Sequence, residues 1–433
     1  DNRDSVGCER TDSGKPFSCV PLRWKTVPEY LQEAGISWRV YQDKDNFGDD
    51  PLVMWKQYQT SAKKKGDLAE RGTSFPGLQK FFDAARDGKL PEVSYIVAPM
   101  QLSEHPPYMP IDGAWLQGEV AKAVMHGKNW DSTALIYSYD ETGGWADHVV
   151  SPYPPQSEES EWIEDPYDKS NGISPIGPGF RLPFYIVSPW TSGGHVFTEH
   201  AAHESQIMFL EQWALAHGKP FTSEEIPTWR REQLSDLVKA FDFSSKDTSV
   251  PEVPHVRKPS QDIFTGHFNG ADVCQAIHLK KVQPDIPYKK LNPSNSMEVN
   301  KGFKRLRGDV TEGRRLTFEA HNRALSHSGS KLKSSSSSKE HNEKDQLFVV
   351  HWQGVNPKDN RFRIATTDQL YITKSLSMSK DEKKAALFSL KDMGNGVGYS
   401  ISELDSGKRL QLNEDGSVSL GGDTYFQIYS VTL

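Results

Sequence analysis

The sequence predicts an α/β protein built on a mostly parallel sheet with helices on both faces, followed by an all-β C-terminal module. Three observations predict it. Apolar strand-like runs alternate with amphipathic helical segments through roughly the first 240 residues. The composition then changes at Pro251, Pro254 and Pro259. From residue 303 onward, short alternating segments are separated by turn signals such as Asp405-Ser-Gly and Glu414-Asp-Gly. The implied division is an α/β domain over 1–250, a linker and irregular extension over 251–302, and a β module over 303–433. The Ser/Lys/His/Glu-rich stretch 326–344 reads as a disordered insert.

The elements follow in order. Val27 to Gly35 has helical spacing and a glycine stop, and a strand follows at Ile36 to Tyr41. Helices are expected around Trp55 to Tyr58, over 77–88 and over 115–125. Val93 to Ala98 and Ala134 to Tyr139 read as strands, and Arg181 to Ser188 as a third. Residues 204–217 and 234–243 are expected as helices. A polar, Pro- and acid-rich loop separates the second and third of these strands at 151–179.

A chain of 433 residues can bury more than one core. Its net charge of −7 is not suited to holding nucleic acid through phosphates. Frequent Trp, Tyr and Pro fit an extracellular or lipid-facing protein. Cys8 and Cys19 close a short polar loop: a disulfide in an oxidising compartment, or free thiols with Cys274 in a reducing one. No apolar run is long enough to span a bilayer. The chain opens without Met or a signal peptide, so it reads as processed or truncated.

The Ala134–Tyr139 run ends in adjacent carboxylates, Asp140 and Glu141, followed by Gly143, Gly144, Asp147 and His148. Ligands of open α/β sheets bind outside the carboxyl ends of strands. Paired carboxylates there suit a hard divalent cation (Ca²⁺, Mg²⁺ or Mn²⁺), although an acidic turn is also an ordinary solvated feature. The strand before it leads to Glu104 and His105. The strand after it leads to Trp190, Gly193 and Gly194, then Glu199 and His203. Carboxylates and histidines at three strand ends suit metal-assisted hydrolysis, with a His protonating a leaving oxygen. Phosphate-loop, Rossmann, His-Glu-x-x-His and Gly-x-Ser-x-Gly patterns are absent.

These motifs carry a resemblance. Ser103-Glu-His-Pro106, Tyr139-Asp-Glu-Thr-Gly-Gly-Trp-Ala-Asp-His-Val149, Gly179 to Trp190 with Gly193-Gly194, and Trp229-Arg-Arg with Ala240-Phe-Asp-Phe243 occur in order. They resemble the phosphoesterase family of bacterial and fungal phospholipases C and acid phosphatases, in the alkaline-phosphatase-like superfamily. The resemblance implies phospholipid hydrolysis by a metal-activated Thr or Ser nucleophile. It implies Asp140 and Glu141 as metal ligands, and His105, His148 and His203 near the phosphoryl group or proton transfer. Glu104, Asp147 and Trp190 would face the substrate.

The sequence departs from the family pattern at its start. The Glu-Asn-Arg and Gly-Pro-Thr-Asn-Pro-Asn-Arg segments are absent, and Asp1-Asn2-Arg3 matches the former only superficially. The expectation is therefore a C-terminal portion of a secreted or cell-surface phospholipase C. Its partners would be a phospholipid, a membrane surface touched peripherally, and an N-terminal piece of the same protein. An acid phosphatase and a non-catalytic lipid-binding fragment are the alternatives.

Overall fold

The structure is a computed structural model, and it describes residues 21–44, 50–143, 151, 154–165, 169–278, 302–354 and 358–432. Asp147, His148, Cys8 and Cys19 lie outside the described residues. The chain divides into two compact units. The first holds Asp1–Pro189, Ile207–Trp229 and Thr248–Val282; the second holds Trp190–Gln206, Arg230–Asp247 and Gln283–Leu433. The chain passes between them repeatedly.

The helices in chain order are α1 (Val27–Glu33), α2 (Lys56–Lys63), α3 (Asp67–Gly72), α4 (Leu78–Asp87), α5 (Pro110–Met125), α6 (His203–Ala216), α7 (Thr228–Gln233) and α8 (Gly270–His278). The start of α1 is fixed by a capping box, in which the Thr26 backbone N–H donates to Glu29 at 2.8 Å. Gly88, at φ +70°, ends α4 in the left-handed conformation. The expected helix at 234–243 is instead a single 3₁₀ turn, Val238–Ala240, behind α7. Leu237 enters that turn at φ +61°, a left-handed residue that breaks helical continuity.

In the first unit the strands are β1 (Trp38–Tyr41), β2 (Val93–Ile96), β3 (Leu135–Ser138), β4 (Trp162–Glu164), β5 (Ile173–Pro175) and β6 (Phe184–Val187). They form three separate pairs among the described residues. β1 and β2 are parallel, β3 and β6 antiparallel, and β4 and β5 antiparallel. This corrects the expectation that Ala134–Tyr139 is a strand of a parallel sheet. A short apolar run specifies burial but not the direction of its neighbour, and Leu135 here faces Val187 while Ser138 faces Phe184. The carboxyl end of β6 therefore lies at the amino end of β3, away from Asp140.

Two apolar clusters support this unit. One gathers Tyr41, Phe81, Leu102, Leu116, Val120, Val124 and Leu135, joining α4, α5 and β3. The other packs Leu31, Ile36, Trp38 and Tyr58 with Ala214. The amphipathic spacing of α4 and α5 directs these residues to one side.

The second unit contains β7 (His195–Phe197), β8 (Gly302–Arg307), β9 (Arg315–Ala320), β10 (Arg323–Ser328), β11 (Lys331–Ser336), β12 (Phe348–Trp352), β13 (Phe362–Thr366), β14 (Tyr371–Ile372), β15 (Met378–Ser379), β16 (Phe388–Asp392), β17 (Tyr399–Glu403), β18 (Leu410–Leu412), β19 (Val418–Leu420) and β20 (Gln427–Thr432). Twelve of them form one mixed sheet whose central path runs β15-β14-β13-β12-β9-β20-β8-β7. Only the β7–β8 pair in it is parallel. Its core holds Leu316, Phe318, Leu325, Phe348, Ile364, Phe388, Ile401 and Ile428.

The stretch 326–344 is not a disordered insert. β10 and β11 pair antiparallel along their whole length, Arg323 opposite Ser336 and Ser328 opposite Lys331. Arg323 Nη2 donates to the Ser334 carbonyl at 2.7 Å, and Leu325 is fully buried. The polar composition belongs to the exposed alternate positions of the hairpin, with Leu332 and Ser334 buried between exposed neighbours. Leu325→Ala should therefore lower unfolding stability by roughly 2–5 kcal/mol. An unchanged urea midpoint would place this segment outside the core.

Candidate functional site

Two strand ends meet in the first unit, and the meeting point is Gln117 on α5. Its Nε2 donates to Glu104 Oε1 at 2.7 Å and to the Tyr139 hydroxyl at 2.8 Å. The Tyr139 hydroxyl donates to Glu104 Oε2 at 2.9 Å. Tyr185 on β6 donates to Gln117 Oε1, and Tyr137 on β3 donates to the Gln117 backbone carbonyl at 2.6 Å. The rings of Tyr137 and Tyr185 stack at 4.7 Å across the β3–β6 pair. Glu104, from the loop after β2, and Tyr139, at the end of β3, are thus tied by one carboxamide.

The backbone is shaped for this contact. Glu104 adopts φ +67°, a left-handed conformation that non-glycine residues seldom take. Its side chain lies against α5 at Gly113, where an added Cβ would come within 2.2 Å of Glu104 Cγ. Burial raises the Glu104 carboxyl above its ordinary range, opposed by the hydrogen bonds from Tyr139 and Gln117. Burial also pushes the Tyr185 phenol up to about 12, with Tyr139 and Glu104 adding to the shift.

Asp140 and Glu141 follow at once and are both exposed. Asp140 Oδ1 accepts from the Glu141 backbone N–H at 2.9 Å, and Glu141 Oε2 accepts from the Gly143 N–H at 2.8 Å. Their oxygens are of the kind a hard cation takes. Such a cation needs about six or more oxygen ligands, and among the described residues no three His, Cys, Asp or Glu side chains are arranged to hold a metal. The pair fits the ion in chemistry, and Asp147 and His148, which follow in sequence, lie outside the described residues.

Of the other expected site residues, Asp147 and His148 lie outside the described residues. His105 is exposed, with Nδ1 2.7 Å from the Pro106 carbonyl. His203 is exposed at the first position of α6 and belongs to the second unit. Trp190, also in the second unit, is half-buried against Phe243, with Lys246 Nζ 5.2 Å from its ring centre. Gln117, Tyr137 and Tyr185 were not expected as site residues. Gln117 follows the buried Leu116 on a helix that also carries Asp112, Glu119 and Lys122, so no local signal singles it out.

The Phosphoesterase family profile matches residues 2–215. The chain belongs to the phosphoesterase family. Among its relatives, the non-hemolytic phospholipase C of Burkholderia pseudomallei is 34% identical over 263 residues, covering 53% of this chain and 37% of that protein. The non-hemolytic phospholipase C of Pseudomonas aeruginosa is 35% identical over 293 residues, 64% of this chain and 40% of that protein. Phospholipase C B of Mycobacterium tuberculosis is 32% identical over 248 residues, 54% of this chain and 46% of that protein. The chain thus spans less than half the length of these relatives. A solved structure described as a BEL beta-trefoil covers 28% of this chain and 97% of its own at 14% identity and a TM-score of 0.23, too low to assign a fold.

The raised Glu104 carboxyl gives a pH prediction. A carboxyl whose folded value lies above its unfolded value contributes stability that is full below the unfolded pKa, about 4.3, and is lost as pH rises through the folded value. Glu104→Gln cannot ionise. Its stability relative to the native protein should therefore improve as pH rises from 4 to 7, read from urea midpoints. A difference independent of pH would contradict the burial argument.

Proposed function

We propose that this chain is part of a phospholipase C-type phosphodiester hydrolase that cleaves glycerophospholipids to diacylglycerol and a phosphorylated head group. The observation that carries the reading is the family match over residues 2–215, which include the Glu104–Gln117–Tyr139 network and the Asp140-Glu141 pair, together with 31–35% identity to phospholipases C. The attacking group in this reading is a Thr or Ser hydroxyl outside the described residues, and a divalent cation, when bound, would supply its activation.

Within it the residues take these roles. Asp140 and Glu141 supply two carboxylates toward Ca²⁺, Mg²⁺ or Mn²⁺, which when bound neutralises phosphoryl charge. Their backbone hydrogen bonds fix the carboxylates at the end of β3 before any ion arrives. His105, His148 and His203 contact the phosphoryl group or pass a proton to the leaving oxygen. Glu104, Asp147 and Trp190 face the substrate, with the Glu104 carboxyl raised above its ordinary range by burial. The protein works at a phospholipid surface, secreted or displayed at the cell surface.

The test is diacylglycerol release from phosphatidylcholine or phosphatidylglycerol vesicles by the full-length protein, with divalent metal added or chelated. Metal-dependent release is expected, and Asp140→Ala should lower kcat/KM by about 100-fold or more, beyond the 10–100-fold typical of outer metal-site partners. Turnover of small phosphomonoesters alone would assign an acid phosphatase instead. Vesicle binding with no turnover of any ester would leave a lipid-binding protein and overturn the hydrolase.

A further inference from the structure

In the second unit, β7 and β8 run parallel and set His195 opposite Arg305. On the other side of β8, β20 sets Tyr429 opposite the same Arg305. Successive side chains of a strand point to opposite faces. Leu306 and Ile428 are buried in the core, and Val196 packs against it. His195, Arg305 and Tyr429 therefore form one row on the sheet face turned away from that core. The row lines a cavity of about 420 Å³ that Gly193, Gly194 and Asp242 also border. This lies within the range of small-molecule sites, roughly 300–1,000 Å³.

The charge of the cavity is predominantly positive. Arg305 forms no ion pair among the described residues. Asp242 is its one carboxylate, and that charge is answered from behind. Ser244 Oγ donates to Asp242 at 2.6 Å, and the buried Arg307 guanidinium lies 3.8 Å away. Burial holds the His195 imidazole below its ordinary range, with Arg305 and Arg307 adding to the effect and Asp242 opposing it. A field that disfavours a proton on His195 favours an anion beside it.

The geometry supplies contacts for such an anion. His195 Nδ1 is buried without a hydrogen-bond partner, while the ring keeps a backbone hydrogen bond at Ser192. Gly193, at φ +102°, lets the backbone pass the imidazole, since a Cβ there would sit 3.3 Å from its Cε1 and Nε2. The Tyr429 ring is fixed by His341 stacked at 3.9 Å. Arg305 and His195 stand opposite each other on neighbouring strands, and a guanidinium presents paired N–H donors that match phosphate oxygens.

We propose that this cavity binds a phosphate group through Arg305 and His195, carried either by a lipid head group or by free phosphate. The inference does not rest on the hydrolase reading, because it concerns binding and assigns no chemistry. The test is calorimetric titration of the full chain with inorganic phosphate and, separately, with phosphatidic acid vesicles. Saturable binding of at least one is expected, weakened about 10-fold or more in Arg305→Gln, as loss of a charge-assisted hydrogen bond predicts. His195 should titrate at higher pH in the phosphate complex, followed by its ring NMR signals. A response to phosphate indicates the free anion, and a response to vesicles alone the lipid head group. If Arg305→Gln does not fold, His195→Gln takes its place. Absence of binding to both probes, or binding indifferent to either substitution, overturns the proposal.

Discussion

The carboxamide of Gln117 is the contact on which the candidate site depends. It donates to Glu104 and Tyr139 and accepts from Tyr185, so one side chain of α5 links the loop after β2 to both strands of the β3–β6 pair. None of these contacts is an ion pair. A neutral network of this kind is screened by salt far less than exposed charge pairs are. It also leaves the neighbouring carboxylates, Asp140 and Glu141, held only by backbone N–H groups and exposed to solvent. The scaffold is polar and closed, and these exposed carboxylate oxygens stand at its edge.

Much of the fold was legible from sequence. The Gly35 stop, the periodicity of α4 and the apolar run of β3 marked elements close to where they occur. Pairing was harder to read, because nothing in Leu135–Ser138 distinguishes a parallel from an antiparallel neighbour. The β10–β11 hairpin shows another limit. Its serines and lysines resemble a solvated tail in composition, yet they alternate with Leu325, Leu332 and Ser334, which turn inward. His321 and Asn322, both at positive φ, form the turn into it, and Asn was the local signal.

The site divides in the same way. Glu104, Tyr139 and the Asp140-Glu141 pair lie in motifs that stand out in the sequence. Gln117 does not, because one amide on a helix that also carries Asp112, Glu119 and Lys122 creates no periodic pattern. The pairing of β7 with β8 is equally invisible, since Thr198 reaches the Arg307 carbonyl across 109 residues of chain. Contacts of that separation carry a loop-closure cost and form late rather than early in folding.

Gly113 has a consequence for how this site can vary. A glycine inside a helix weakens it by roughly 0.5–1 kcal/mol relative to alanine. α5 accepts that loss where the Glu104 side chain lies against its backbone. The missing methyl group acts as a depth gauge: it sets how far the carboxyl sinks toward the helix, and so how far burial raises its pKa. Acidity at Glu104 is thereby written into a position whose own side chain is a single hydrogen atom.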